Sequence, residues 1–150
     1  MDVEIRAARA GEEEPLLAAW EWLFEPPGQR PASWDERRAQ VALREAMESR
    51  DALVLVASTG DEEIVGFLTA YYTIHAIRFG PRVWVEELAV HPGWRSRGVG
   101  SRLLAIAREW ARERGAYHLK LDSALARVDA HRFYERERFS ALSYSFVHEL

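Results

Sequence analysis

Between Val83 and Ala111 the apolar residues change their spacing once, and the change is made across a short turn that carries glycines. Residues 83–90 read as a strand, whereas Leu103, Leu104, Ile106, Ala107, Trp110 and Ala111 recur at helical spacing. Pro92-Gly93-Trp94 stops the strand. Arg95-Ser96-Arg97-Gly98-Val99-Gly100 then leads into a helix that runs to about Arg114, with Gly115 at its C-cap. A strand delivered straight into a helix start aims several unpaired backbone N–H groups at one place, and the helix dipole adds partial positive charge there. Such a place binds anions, phosphates above all. Gly98 and Gly100 let a ligand approach the backbone, and Arg95, Arg97 and Arg102 surround the turn with positive charge.

The rest of the chain supplies a sheet for that turn to sit on. Val3 and Ile5 alternate with Glu4 and Arg6 as a short strand. Glu12, Glu13 and Glu14 precede Pro15 and open a helix carrying Leu16, Leu17, Trp20, Leu23 and Phe24, which Pro26-Pro27-Gly28 ends. Ser33-Trp34-Asp35-Glu36 has the capping-box pattern, with Ser33 as N-cap, and predicts a second helix to about Ser49. Residues 53–57 and 64–73 flank Ser58-Thr59-Gly60-Asp61 and predict a hairpin. Residues 117–121, 124–138 and 143–150 predict a strand, a helix and a closing strand. The order β-α-α-β-β-β-α-β-α-β describes an α/β (α+β mixed) fold. It is a single domain over residues 1–150, a twisted mixed sheet flanked by about four helices.

Charge and composition narrow the partners. A net charge of -4 argues against nucleic acid, which asks for a basic face. The basic residues that do cluster, over 95–114 and 127–138, suit one small anionic ligand. The chain has no cysteine, which excludes disulfides, thiolate zinc sites and cysteine nucleophiles and fits a reducing cytoplasm. No run approaches the about 18 apolar residues that span a bilayer, so no membrane partner is expected. Met1-Asp2-Val3-Glu4-Ile5-Arg6 reads as a strand and not as a signal peptide. His75, His91, His118, His131 and His148 are not spaced as His-x-His or His-Glu-x-x-His, so no metal site is expected.

A Gly-x-Gly alone also fits a plain strand-to-helix turn. It is not the dinucleotide fingerprint, whose third glycine would fall at Leu103, and no Gly-Lys-Ser/Thr follows to make a Walker A loop. The longer stretch Glu87-Leu88-Ala89-Val90-His91-Pro92-Gly93-Trp94-Arg95-Ser96-Arg97-Gly98-Val99-Gly100 resembles the GNAT N-acetyltransferase superfamily. That family's central motif is Gln/Arg-x-x-Gly-x-Gly/Ala, entered from a strand ending in Leu-x-Val and a His/Asp-Pro step. The resemblance implies a GNAT-type domain that uses acetyl-coenzyme A as acyl donor. It implies that the backbone of Ser96, Arg97, Gly98, Val99, Gly100 and Ser101, with Arg95 at the head of the motif, holds the pyrophosphate. It also implies that Leu88, Ala89 and Val90 pair with the pantetheine arm as an added strand would. Downstream, Ala130, Phe133, Tyr134 and Phe139 match the family's other signature, Asn-x-x-Ala-x-x-Phe-Tyr followed by Gly-Phe. Arg127 stands at the asparagine. Arg138 stands at the glycine, which implies either a different turn or an arginine in an unusual backbone geometry.

Aminolysis of a thioester needs a neutral amine, a polarised carbonyl and a proton for the departing thiolate. The resemblance implies Tyr134 as the proton donor, although a tyrosine at helical spacing also serves as core. The Val90 N–H is the candidate to stabilise the carbonyl oxygen as charge develops. Glu86 and Glu87 are the candidate bases, acting directly or through water, against the plain reading of solvated or salt-bridged carboxylates. Strict alternation puts them on opposite faces, and a β-bulge of the kind this family carries would upset that parity. The first helices usually shape the acceptor pocket in this fold. Among their aromatics, Trp20 reads as core, and Trp22, off the apolar stripe, as exposed or pocket-facing; Tyr71, Tyr72 and His75 are further pocket candidates. Asp129-Ala130-His131-Arg132-Phe133-Tyr134 is similar to small-molecule acetyltransferases of the family, including those acting on aminoglycosides and aminoalkylphosphonates. The expected activity is direct acetyl transfer to a primary amine of a small molecule or peptide, with a homodimer left open. The alternative is a non-catalytic module of the same fold that senses acyl-coenzyme A.

Overall fold

In the computed structural model, which describes residues 2–150, five strands form one sheet in chain order: β1 (Val3–Ala7), β2 (Ala52–Thr59), β3 (Ile64–Thr73), β4 (Arg82–Val90) and β5 (His118–Leu121). The first four pair antiparallel and β5 joins β4 in parallel, so the sheet is mixed. A parallel neighbour cannot be reached by a hairpin, and α4 (Val99–Glu113) makes the crossover. Its apolar stripe of Leu103, Leu104, Ala107 and Ala111 packs on Leu55, Leu68, Val83 and Val85. Gly115, at φ 75°, ends this helix, and the Ala116 N–H bonds the Ala111 carbonyl at 3.0 Å. The other face of the sheet is covered by α1 (Glu13–Ala18), α2 (Glu21–Phe24) and α3 (Glu36–Glu48). There Leu16, Leu17, Trp20 and Leu43 close over Val54, Val56, Phe67 and Ala89. A fifth helix, α5 (Val128–Arg136), lays Phe133 and Tyr134 against the α4-side core.

Several expectations are corrected. The first helix is interrupted where the Ala19 and Trp20 N–H groups bond three residues back, to Leu16 and Leu17. That tight turn belongs with the stacking of Trp20 on Phe67 at 4.2 Å between ring centroids, which makes Trp20 core as read. Ser33 is not the cap of α3. Asp35 caps it, accepting the Arg38 N–H at 2.9 Å, because aspartate caps at least as well as serine and stands next to the helix. The last helix begins only at Val128, after a turn closed by the Arg127 N–H on the Ala124 carbonyl at 3.0 Å. Residues 143–150 form no strand: they are exposed and unpaired throughout, since alternation without a neighbouring strand supplies no ladder.

Candidate active site

The site opens where β4 and β5 part. They are paired only from Arg82 with His118 to Val85 with Leu121, and beyond Val85 β4 has a neighbour on its β3 side alone. The His91 N–H bonds the Val65 carbonyl at 2.9 Å, and bonded and non-bonded pairs alternate along an antiparallel ladder. Hence Ala89 exchanges its backbone bonds with Phe67. Leu88 and Val90, opposite Leu68 and Gly66, turn their N–H and carbonyl groups to the open edge. One of these groups is engaged, for the Arg95 side chain donates from Nε to the Val90 carbonyl at 3.1 Å. Of the strand end named from the sequence, Leu88 and Val90 offer backbone to a ligand, and Ala89 offers it to the sheet.

A bulge sets the side chains of the same stretch. Thr69 pairs with Glu87 and Ala70 with Val85, so Glu86 has no partner on β3. Val85 and Leu88 therefore both reach the α4-side core although three positions apart, and the extra residue reverses the alternation between them. Glu87 turns to the α1–α3 face, where the Thr69 hydroxyl donates to its carboxylate and accepts the Glu87 N–H at 3.1 Å. Burial pushes the Glu87 carboxyl above the usual carboxylate range and the neighbouring Glu86 adds to this, while hydrogen bonds from Thr69 and Trp20 oppose it. Glu86 is exposed. Tyr71 lies within its field, with a phenol raised first by burial and then by Glu86. Trp22 meets His91 edge-on at 5.3 Å on the same side of the sheet as Phe67. Tyr72 packs on the opposite face beneath Arg114, at 4.8 Å, which takes it away from Glu87, and His75 is exposed.

Tyr134 approaches from the other side. It packs on the α4-side core between Phe133 and Phe139, with ring centroids 5.4 Å and 5.8 Å away. Burial raises its phenol and the Arg127 charge partly offsets this, so the hydroxyl keeps its proton at neutral pH. Arg127 also donates to the Leu23 carbonyl at 2.8 Å, tying the start of α5 to α2. Gly28 is the keystone of that tie: a Cβ there would stand 1.9 Å from the Leu23 carbonyl oxygen and 2.4 Å from the Arg127 guanidinium. The sequence shows Gly28 only as a helix stop, because its partner is about a hundred residues away.

Between these groups and α4 lies the turn. Its first intrahelical bond runs from the Arg102 N–H to the Gly98 carbonyl at 3.1 Å, which leaves the N–H groups of Val99, Gly100 and Ser101 without a helical acceptor. Ser96 and Gly98 have φ of 61° and 82°, so the loop turns left-handed twice in three residues. A Cβ on Gly98 would meet nothing within 4 Å, so glycine is needed there for φ. At Gly100 closeness decides, since a Cβ would lie 3.1 Å from the Phe133 ring. Val99 anchors the turn in the core, and Arg95, Ser96 and Arg97 are exposed, with Arg97 over the Trp94 ring at 5.1 Å. A cavity of about 480 Å³ lies alongside, lined by Asp2, Val3, Trp94, Arg97, Val99 and Arg102. Free N–H groups and guanidinium groups fit a pyrophosphate, and the open backbone of Leu88 and Val90 fits the amides of a pantetheine arm.

Residues 16–138 match the model of the acetyltransferase (GNAT) family. The chain belongs to that family. The aminoalkylphosphonate N-acetyltransferase of Salmonella typhimurium is 36% identical over 88 residues, which cover 59% of this chain and 57% of that protein. This chain spans about half the length of the curated relatives it matches first. A structure described as a transcriptional regulator from Bacillus halodurans C-125 superposes with a TM-score of 0.82 at 28% identity, covering 99% of this chain and 100% of that one. The aminoglycoside acetyltransferase AAC(6')-Iy, in complex with a bisubstrate analogue, superposes at 0.83 over 100% of this chain and 99% of that one; at 18% identity it speaks for the fold. One departure from the GNAT pattern is resolved by the backbone. Arg138 holds a left-handed φ of 71°, so the arginine adopts the geometry that the usual glycine would supply.

Proposed function

We propose that this GNAT chain is an acetyl-coenzyme A-dependent N-acetyltransferase that passes the acetyl group directly to a primary amine of a small molecule or peptide. The observation that carries this reading is the bulged, one-sided end of β4. There an edge of free backbone groups runs between a carboxyl with a raised pKa on one face and a protonated tyrosine on the other. When bound, acetyl-coenzyme A supplies an activated acetyl thioester. The free N–H groups at the start of α4 and the exposed Arg97 hold its pyrophosphate, and Leu88 and Val90 align its amide arm. The Val90 N–H donates to the thioester carbonyl oxygen as negative charge develops. Glu87 takes the proton from the incoming amine, directly or through one water, and its raised pKa suits a base working near neutrality. Glu86, at the mouth, attracts a cationic amine. The Tyr134 hydroxyl gives a proton to the departing sulfur.

The activity printed for the Salmonella relative, acetylation of an aminoalkylphosphonate, and the aminoglycoside enzymes among the structural neighbours both favour small amines. The lack of cysteine fits a reducing cytoplasm. The test is thiol release from acetyl-coenzyme A across a panel of aminoglycosides, aminoalkylphosphonates, polyamines and peptides. Amine-dependent release at a defined stoichiometry is expected. Tight coenzyme A binding by calorimetry with no release for any amine would favour a sensing module instead.

A further inference from the structure

The α1–α3 side of the sheet is only partly covered. Its apolar cover closes over Val54, Val56, Phe67 and Ala89, and Thr69 and Glu87 come next along β3 and β4. Beyond them Tyr72, Val83, Val85, Leu119 and Leu121 pack into the α4-side core. Alternation therefore turns Tyr71, Arg82, Trp84 and Lys120 to the uncovered side, where Tyr71 is 42% exposed and the other three are half-buried. Trp84 stands opposite Tyr71 on β3 and opposite Lys120 on β5. The Arg82 guanidinium and the Lys120 ammonium both lean on its ring, 5.6 Å and 5.5 Å from the centroid.

Charge is sorted along this strip. Arg82 opens β4 and Lys120 is level with Trp84, whereas Glu86 and Glu87 follow Trp84 and Asp122 follows the end of β5. Tyr71 lies between the two sets. Burial raises its phenol first; Glu86 adds to this, Arg82 opposes it, and Asp122 and Glu87 add the rest. Among the described residues neither Arg82 nor Lys120 is in an ion pair. The Arg82 Nε is also shielded from water and has no hydrogen-bond acceptor. A shielded guanidinium N–H without an acceptor is costly, and an anion beside it would remove that cost.

We infer that the acceptor is a zwitterionic small molecule, a primary amine carrying a carboxylate or phosphonate, and that Arg82 and Lys120 hold its anionic group while its amine lies at Glu87. The inference rests on the acetyl-transfer reading and names the substrate class of that same site. A polyamine would set a second cation against Arg82 and Lys120, and a neutral amine would leave both without a counter-charge. The spacing follows from the register. Trp84 faces Tyr71 and Glu87 faces Thr69, two residues on, so the two ends of the strip stand about 7 Å apart along the sheet. The Trp84 and Tyr71 rings supply an apolar floor for the carbon chain between them. Charge-assisted contacts of this kind contribute about 10- to 100-fold in affinity.

The experiment compares two acids that span about that distance when extended, δ-aminovalerate and aminobutylphosphonate, with the neutral amide of δ-aminovalerate and with cadaverine. Thiol release from acetyl-coenzyme A is read for each, in the wild type and in the double variant Arg82→Gln, Lys120→Gln. The better of the two acids is expected to exceed the amide and cadaverine in kcat/KM by about 10-fold or more, with the difference lying in KM. In the double variant the ratio of acid to amide is expected to fall to about one. Saturation-transfer NMR with δ-aminovalerate gives a second readout, strong for the wild type and weak for the double variant. That NMR contrast without thiol release from any amine supports the zwitterion site and overturns only the transfer reading. If the double variant does not fold by circular dichroism, Lys120→Gln alone decides, since Lys120 has no ion pair to break. Equal kcat/KM for acids and amide, a preference for cadaverine, or an acid preference that survives in the folded variant overturns the proposal.

Discussion

Replacing Glu87 by glutamine keeps the shape of the side chain and removes its charge, so activity and stability should move in opposite directions. The glutamine oxygen can still accept from the Thr69 hydroxyl, which keeps the local structure in place. A positioned base contributes about 10²- to 10⁴-fold to proton transfer, so kcat/KM should fall about 100-fold or more, with KM for acetyl-coenzyme A within about two-fold. The wild-type kcat/KM should rise through a pH above the usual carboxylate range, where the raised Glu87 ionises, and this limb should flatten in the variant. Stability follows from the same raised carboxyl. Between the ordinary pKa of the unfolded chain and the raised one of the folded chain, the folded form holds a proton that the unfolded form releases, so stability drops as pH rises through that window. Above its raised pKa the wild type bears the whole cost of a partly buried charge, and the variant bears none at any pH. At pH 4 both side chains are neutral. Glu87→Gln should therefore melt higher than wild type at pH 8, and the lead should vanish at pH 4, as followed by circular dichroism. An unchanged kcat/KM would remove Glu87 as the base, and a variant that melts lower at pH 8 would refute the argument from burial.

Tyr134→Phe removes one hydroxyl, so steady-state kinetics should show kcat about 10-fold lower or more, with the KM for acetyl-coenzyme A nearly kept. Solvent isotope effects tell whether chemistry limits the rate, and an unchanged kcat with chemistry limiting excludes Tyr134 as the acid. Gly98→Glu puts a side chain on a φ of 82°, at a cost of about 1–2 kcal/mol, and a carboxylate beside free N–H groups that would bind phosphate. Calorimetry should find coenzyme A binding abolished while circular dichroism stays native. Arg138→Gly relieves a left-handed residue, a gain of about 1–2 kcal/mol that the greater freedom of the unfolded glycine reduces by about 0.4–1 kcal/mol. A melting temperature about 1–4 °C higher with unaltered kinetics is expected for a chain of this length, and a lower one would mean that the arginine side chain holds the turn.

Local chemistry was legible and register was not. The strands β3 and β4, the helix α4 and the stop at Gly115 follow from spacing and punctuation within about ten residues, and the structure places them within a residue or two of expectation. The pairing of Ser33 with Glu36 was misleading because Asp35 offers an equal cap one step closer to the helix. The faces of Glu86 and Glu87 depend on which residues of β3 stand opposite them. A skipped partner between Thr69 and Ala70 leaves no trace in the order of amino acids on β4. Gly28 and Arg127 lie beyond local reading for the same reason.

The short β5 joins the two ends of this reasoning. Because it pairs with β4 only as far as Val85, the next residues of β4 keep an open edge, and a longer β5 would fill the space proposed for the pantetheine arm. That brevity has a consequence on the other side. A strand of four residues, held by β4 alone, makes few ladder bonds and presents an unprotected outer edge. Cleft and edge therefore have one cause. The pattern at 143–150 reads as a strand because Leu142, Tyr144 and Phe146 alternate with Ser143 and Ser145, but alternation alone supplies no ladder.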